Sequence, residues 1–139
     1  MARPRPKSPS AARERLAAAA WAMVIAVALW TPAPEAPPEW GWWSWLGELA
    51  AAGGDKVVHA LLFGVQAWLL CRWRPGAPTG AWLGWCLALT IAYGGMTEAV
   101  QAALGGRTAE LGDLVADAVG AGIGVAAFAW RRGRLPPLR

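Results

Sequence analysis

At 139 residues the chain is the size of one domain, and with 56% hydrophobic and 16% charged residues it is too apolar for an ordinary soluble one, in which about a quarter of residues are charged. Its net charge of +4 does not make a nucleic-acid interface, because the aromatics are mostly tryptophans within apolar runs and form no stacking platform among the basic residues. Cys71 and Cys86 also fall in apolar runs and read as packing thiols, with neither metal spacing nor a disulfide framework.

A basic tail, residues 1–15, precedes the first apolar stretch, residues 16–31, which ends at Pro32. A basic start, an apolar centre and small residues beyond it also describe a signal peptide. Pro34 directly after the candidate cut at Ala33 favours an uncleaved membrane helix instead. Residues 33–54 form a loop without Lys or Arg. It is Pro-rich at its start and then carries Trp40, Trp42, Trp43 and Trp45, the composition of a segment lying in a membrane interface.

Three more helices follow, at about residues 55–72, 79–101 and 111–130. A bilayer crossing needs about 20 residues, with a range of roughly 17 to 25. The stretches therefore predict an all-α, polytopic membrane domain of four transmembrane helices over residues 16–131, closed by a basic tail at 132–139. Eleven of the thirteen basic residues lie before the first helix, between the second and third, or after the fourth, leaving Lys56 and Arg107 on the other side. Basic residues mark the cytoplasmic side, so both termini are expected there.

Depth follows from that topology. Counted back from the cytoplasmic ends, Asp55, Lys56 and His59 lie about 5 to 10 Å inside the outer boundary, and Asp113 and Asp117 about 3 to 9 Å inside. Glu98 sits where the third helix leaves the bilayer. The pairs Asp55/His59, Glu98/Gln101 and Asp113/Asp117 are three or four residues apart, so each pair shares a helix face. Ionisable groups at such depth are costly to expose to lipid, and they are expected to face one another inside the bundle. Lys56, Arg107 and a protonated His59 are the cations available to the acids, so without a bound cation at least one acid is expected to be protonated. Ala116, Gly120 and Gly124 form a small-residue ridge that reads as packing within the chain, with homodimerisation as the alternative.

These residues resemble the VanZ-like family of small bacterial membrane proteins over about residues 50 to 125. The match consists of Asp55, Lys56 and His59 in "DKVVH" with Phe63 after them, Glu98 and Gln101, Arg107, Asp113, and the Gly120/Gly124 pair, with Asp117 where the family commonly has Asn. The resemblance implies a multi-pass protein of the bacterial cytoplasmic membrane, and the family's namesake is linked to low-level resistance to the glycopeptide teicoplanin.

Three functions fit these residues. In the first, Asp55, Lys56, His59, Glu98, Gln101, Arg107, Asp113 and Asp117 form an outer-leaflet pocket for a membrane lipid, a lipid-linked wall precursor or a glycopeptide. Lys56 and Arg107 then meet its phosphate or carboxylate. In the second, the chain is an enzyme with His59, Glu98 and Asp113 as catalytic candidates and His59 oriented by Asp55 or Asp113. No cofactor is called for, although Glu98 with one Asp has the chemistry to hold a divalent cation. The third, a proton-linked transporter through Glu98, His59 and Asp117, lacks ionisable residues in the inner halves of the helices. Packing alone accounts for Phe63, Ala116, Gly120 and Gly124, and hydrogen bonding or solvation for Gln101 and Glu110.

Overall fold

The computed structural model describes residues 11–31, 54–74, 78–104 and 110–133. Among them are four helices and no strand: α1 (Ala11–Trp30), α2 (Asp55–Cys71), α3 (Gly80–Ala103) and α4 (Leu111–Arg131). Most of the two tails, nearly all of the Trp-rich loop and Arg107 lie outside the described residues.

Helix bounds differ from the sequence expectation chiefly at α1, which begins at Ala11 rather than 16. Arg13, Glu14 and Arg15 are good helix formers, so the charged stretch continues the helix although it ends the apolar run. Thr79 stops α3 from starting earlier, because its hydroxyl accepts the Trp82 N–H at 3.2 Å as an N-cap. At the far end of α4, Gly133 adopts φ +69° and donates its N–H to the Trp130 carbonyl at 2.9 Å, a left-handed terminus that glycine adopts without strain.

The helices alternate in direction. Lys56 faces Asp113, Ala60 faces Gly120, Gly64 faces Gly124 and Trp68 faces Phe128, so α2 and α4 run parallel in register. A methyl group on Gly120 would collide with the Ala60 carbonyl, and one on Gly124 with the Gly64 carbonyl. These two helices thus touch backbone to backbone, as small-xxx-small ridges permit. The ridge is met on α2 by Ala60 and Gly64, and Ala116 is half-buried one turn before it. α1 docks through side chains instead. Trp21 Nε1 donates to the Leu62 carbonyl at 3.0 Å, Tyr93 Oη to the Ala22 carbonyl at 2.5 Å, and Gln101 Nε2 to the Leu29 carbonyl at 2.8 Å.

Burial runs against the pattern of a soluble protein. Val57, Leu61, Trp85, Val119, Ile123 and Trp130 are exposed, while His59, Gln66, Thr90, Glu98, Asp113 and Asp117 are buried. Apolar outer faces around a polar interior suit a lipid solvent. α3 and α4 are each long and apolar enough to cross a membrane. α2 has 17 residues, about 26 Å of helix, which is shorter than a bilayer core of about 30 Å. The charged first turns of α1 leave Leu16–Trp30 as its uncharged part.

Candidate functional site

The alternating directions bring the first turns of α2 and α4 and the last turns of α3 to one end of the bundle. α2 supplies Asp55, Lys56 and His59 there, α3 supplies Glu98 and Gln101, and α4 supplies Asp113 and Asp117, with Glu110 at its N-cap. Asp55 is drawn to its own helix terminus, where Oδ1 accepts the Lys56 N–H at 2.8 Å.

His59 is oriented by Asp117. Nδ1 of His59 stands 2.9 Å from Oδ1 of Asp117, and both side chains are buried. The sequence expectation gave that task to Asp55 or Asp113. The in-register pairing of α2 with α4 instead sets His59 level with the second turn of α4, one turn below Asp113. With Asp117 as a carboxylate, a neutral imidazole keeps its proton on Nδ1 and presents the lone pair at Nε2. Phe63 stacks on the His59 ring with centroids 6.3 Å apart, and Tyr93 packs against Phe63 in turn at 5.7 Å. The other Asp117 oxygen, Oδ2, lies 2.6 Å from where a methyl group on Gly94 would sit, so α3 accommodates this carboxylate only because residue 94 has no side chain.

Glu98 approaches from α3 and accepts the Glu110 N–H through Oε2 at 3.2 Å. At the more exposed rim, Lys56 Nζ donates to Glu110 Oε2 at 3.2 Å and to Asp113 Oδ1 at 3.3 Å, and stands 3.7 Å from Asp55 Oδ2. Its aliphatic stem lies over Gly112. One ligating atom from each of His59, Glu98 and Asp113 falls within 4.8 Å of the other two. His59 Nε2, Glu98 Oε1 and Asp117 Oδ2 are buried and have no hydrogen-bond partner among the described residues. Five carboxyl groups, those of Asp55, Glu98, Glu110, Asp113 and Asp117, thus surround one lysine and one histidine.

Gln101 stands apart from this arrangement, since its amide is spent on the Leu29 carbonyl of α1. Arg107 is outside the described residues. The sequence reading passed over Gly94, Ala60 and Gly64. Each is a small residue in an apolar run, and its purpose is visible only beside the helix it faces. The opposite end of the bundle has a different chemistry. A cavity of ≈ 330 Å³ there is lined by Glu14, Trp68, Arg72, Phe128, Arg131 and Arg132, with Glu14 bridged to Arg72 at 2.6 Å.

No curated protein and no solved structure matches the chain. A family profile, described as VanZ/LLP1, matches residues 9–132 and so takes in all four helices and both ends of the bundle. On that match over nearly its whole length, the chain belongs to the VanZ/LLP1 family.

Proposed function

We infer that this protein is a multi-pass protein of the bacterial cytoplasmic membrane, with four crossing helices and both termini in the cytoplasm. Its function is to bind or modulate a lipid or lipid-linked cell-wall component at the outer face. The apolar outer faces of all four helices support the insertion. Arg13, Arg15, Arg72, Arg74, Arg131 and Arg132 gather at one end of the bundle, and Lys56 lies at the other, which supports the orientation. Gly120 and Gly124 are occupied by α2, which favours packing within one chain over homodimerisation.

The observation that carries the binding reading is the set of buried polar atoms without protein partners, His59 Nε2 and Glu98 Oε1 above all. Native interiors satisfy such atoms, and leaving one unmet costs about 1–3 kcal/mol. A ligand with polar head and apolar tail meets both parts of the surface, the head at the cluster and the tail along the groove lined by Ala60, Leu61, Gly64, Val65 and Ile123. The half-exposed ammonium of Lys56 is the described group placed to meet a phosphate or carboxylate.

The test is binding of a fluorescent lipid-linked wall precursor, and separately of teicoplanin, to the full chain in lipid nanodiscs. Glu98→Gln and His59→Gln should weaken precursor binding about tenfold or more, the effect of roughly 1.4 kcal/mol or above, while the protein still accumulates in the membrane. Binding unchanged in both variants overturns the reading, and binding of teicoplanin alone replaces the lipid with the glycopeptide as ligand.

A second reading, an enzyme acting on a lipid-linked substrate, is favoured by one observation. The His59–Asp117 pair has the geometry of a general base held by a carboxylate. Turnover of the precursor, lost in His59→Gln, is the result that selects it.

A further inference from the structure

We propose that His59, Glu98 and Asp113 form a binding site for one divalent cation of the zinc or manganese class. Three helices each contribute one ligand, and the three ligating atoms lie within 4.8 Å of one another. Any three atoms so spaced fit inside a circle of radius about 2.8 Å, against metal–ligand distances of about 2.0–2.2 Å. A side-chain shift of about 0.7 Å closes the difference, well within the rotation available to a carboxylate.

The histidine is arranged as metal-bound histidines are. Such a residue donates one ring nitrogen to a carboxylate or carbonyl, which fixes the tautomer and aims the other nitrogen at the metal. Asp117 holds Nδ1 of His59 at 2.9 Å, and Nε2 is buried without a protein partner. Glu98 repeats the pattern, with Oε2 on the Glu110 N–H and Oε1 buried and unmet. Two side chains more than nine-tenths buried thus each hold one polar atom in reserve.

Charge points the same way. Lys56 compensates Asp55, Glu110 and the Oδ1 atom of Asp113 at the rim. Glu98 and Asp117 are buried and have no lysine or arginine partner among the described residues, leaving His59 as the described group able to carry positive charge beside them. A divalent cation balances two carboxylates at the depth where lipid makes uncompensated charge costly.

Donor type selects the metal. An imidazole with two carboxylates suits zinc, manganese or iron, whereas calcium and magnesium take oxygen alone. The neighbouring all-oxygen group of Asp55, Glu110 and Asp113 is the less buried one, and Lys56 already occupies it. Three protein ligands leave a coordination position open. Through that position a cluster rich in acids can engage an anionic head group. This last step rests on the ligand reading above, and the cation site does not.

The full chain, purified in detergent and stripped with a chelator, is titrated with Zn²⁺ and Mn²⁺ by calorimetry, with metal content measured after dialysis. One equivalent per chain is expected. Glu98→Gln and Asp113→Asn should each weaken it about 100-fold or more, and Asp117→Asn about 10- to 100-fold, as partners of a ligating histidine do. Glu110→Gln should leave it unchanged. Substituted Co²⁺ should show a visible absorption band that shifts in His59→Gln, and helix content by circular dichroism must match wild type in every variant scored. Substoichiometric metal on the wild-type chain overturns the proposal, as does an affinity indifferent to both Glu98→Gln and Asp113→Asn. Failure of metal uptake with precursor binding intact removes the cation and keeps the pocket. Metal uptake without precursor binding does the reverse.

Discussion

Asp117 Oδ1 sits 2.9 Å from His59 Nδ1, on a different helix and with both side chains buried. A buried pair of this kind is costly to break from one side, because the remaining partner stays desolvated. An unmet buried donor costs about 1–3 kcal/mol. Asp117→Ala should therefore lower the thermal unfolding midpoint in detergent sharply. Asp117→Asn keeps a carbonyl oxygen to accept from Nδ1 and should cost no more than about 1 kcal/mol. Equal losses in the two variants would show that the hydrogen bond is not what holds His59.

Glycine positions on α4 should separate cleanly by the face they occupy. Gly120→Ala and Gly124→Ala push a methyl group into the carbonyls of Ala60 and Gly64, and overpacking of this sort costs about 1–3 kcal/mol or more. Gly122 has open space where a methyl group would go, so Gly122→Ala should be neutral, or stabilising by up to about 1 kcal/mol through helix propensity. Unfolding midpoints of the three variants in one detergent settle the matter.

Gly94→Ala tests the coupling of packing to the site. The added methyl group meets Asp117 Oδ2 at 2.6 Å, and the carboxylate must turn away from its place beside His59. Ligand or metal affinity should fall about tenfold or more with α-helix content unchanged. Gly95→Ala, one residue on and with nothing nearby, should leave affinity at the wild-type value.

Attachment of α1 rests on hydrogen bonds from Trp21, Tyr93 and Gln101 to backbone carbonyls. Each such bond between membrane helices contributes about 0.6–2 kcal/mol. Tyr93→Phe and Gln101→Leu act two turns apart on α3 and should add nearly independently. The double variant should speed proteolysis within α1 while leaving the α2–α4 pairing intact, read as a crosslink between cysteines placed at Leu61 and Val119.

At the surface the expectation reverses. Lys56→Gln removes contacts to three carboxylates, yet the ammonium is half-exposed, and exposed ion pairs are worth about 0–1 kcal/mol. Its unfolding midpoint should stay close to wild type while its affinity for an anionic head group falls.

Much of this arrangement was legible in the sequence, for identifiable reasons. The spans expected for α3 and α4 lie within two residues of the observed helices, and at α4 the apolar run and the helix coincide. Hydropathy misplaced the start of α1, because Arg13, Glu14 and Arg15 are polar without being helix breakers. Counting along each helix brought His59, Glu98 and Asp113 to one level, and the structure places them together. Naming Asp117 as the partner of His59 required the register of α2 against α4, which a single helix does not encode. Ala60 against Gly120 sets it, and a small residue announces a close approach without saying to what.

That glycine-lined contact runs from Ala60 and Gly120 near the acidic end to Gly64 and Gly124, and Trp68 meets Phe128 edge-on beyond it. With their backbones in contact along this length, α2 and α4 behave as one stiff beam carrying His59, Asp113 and Asp117. Glu98 reaches the cluster from α3, so the acidic end is assembled across a seam between this pair and a third helix.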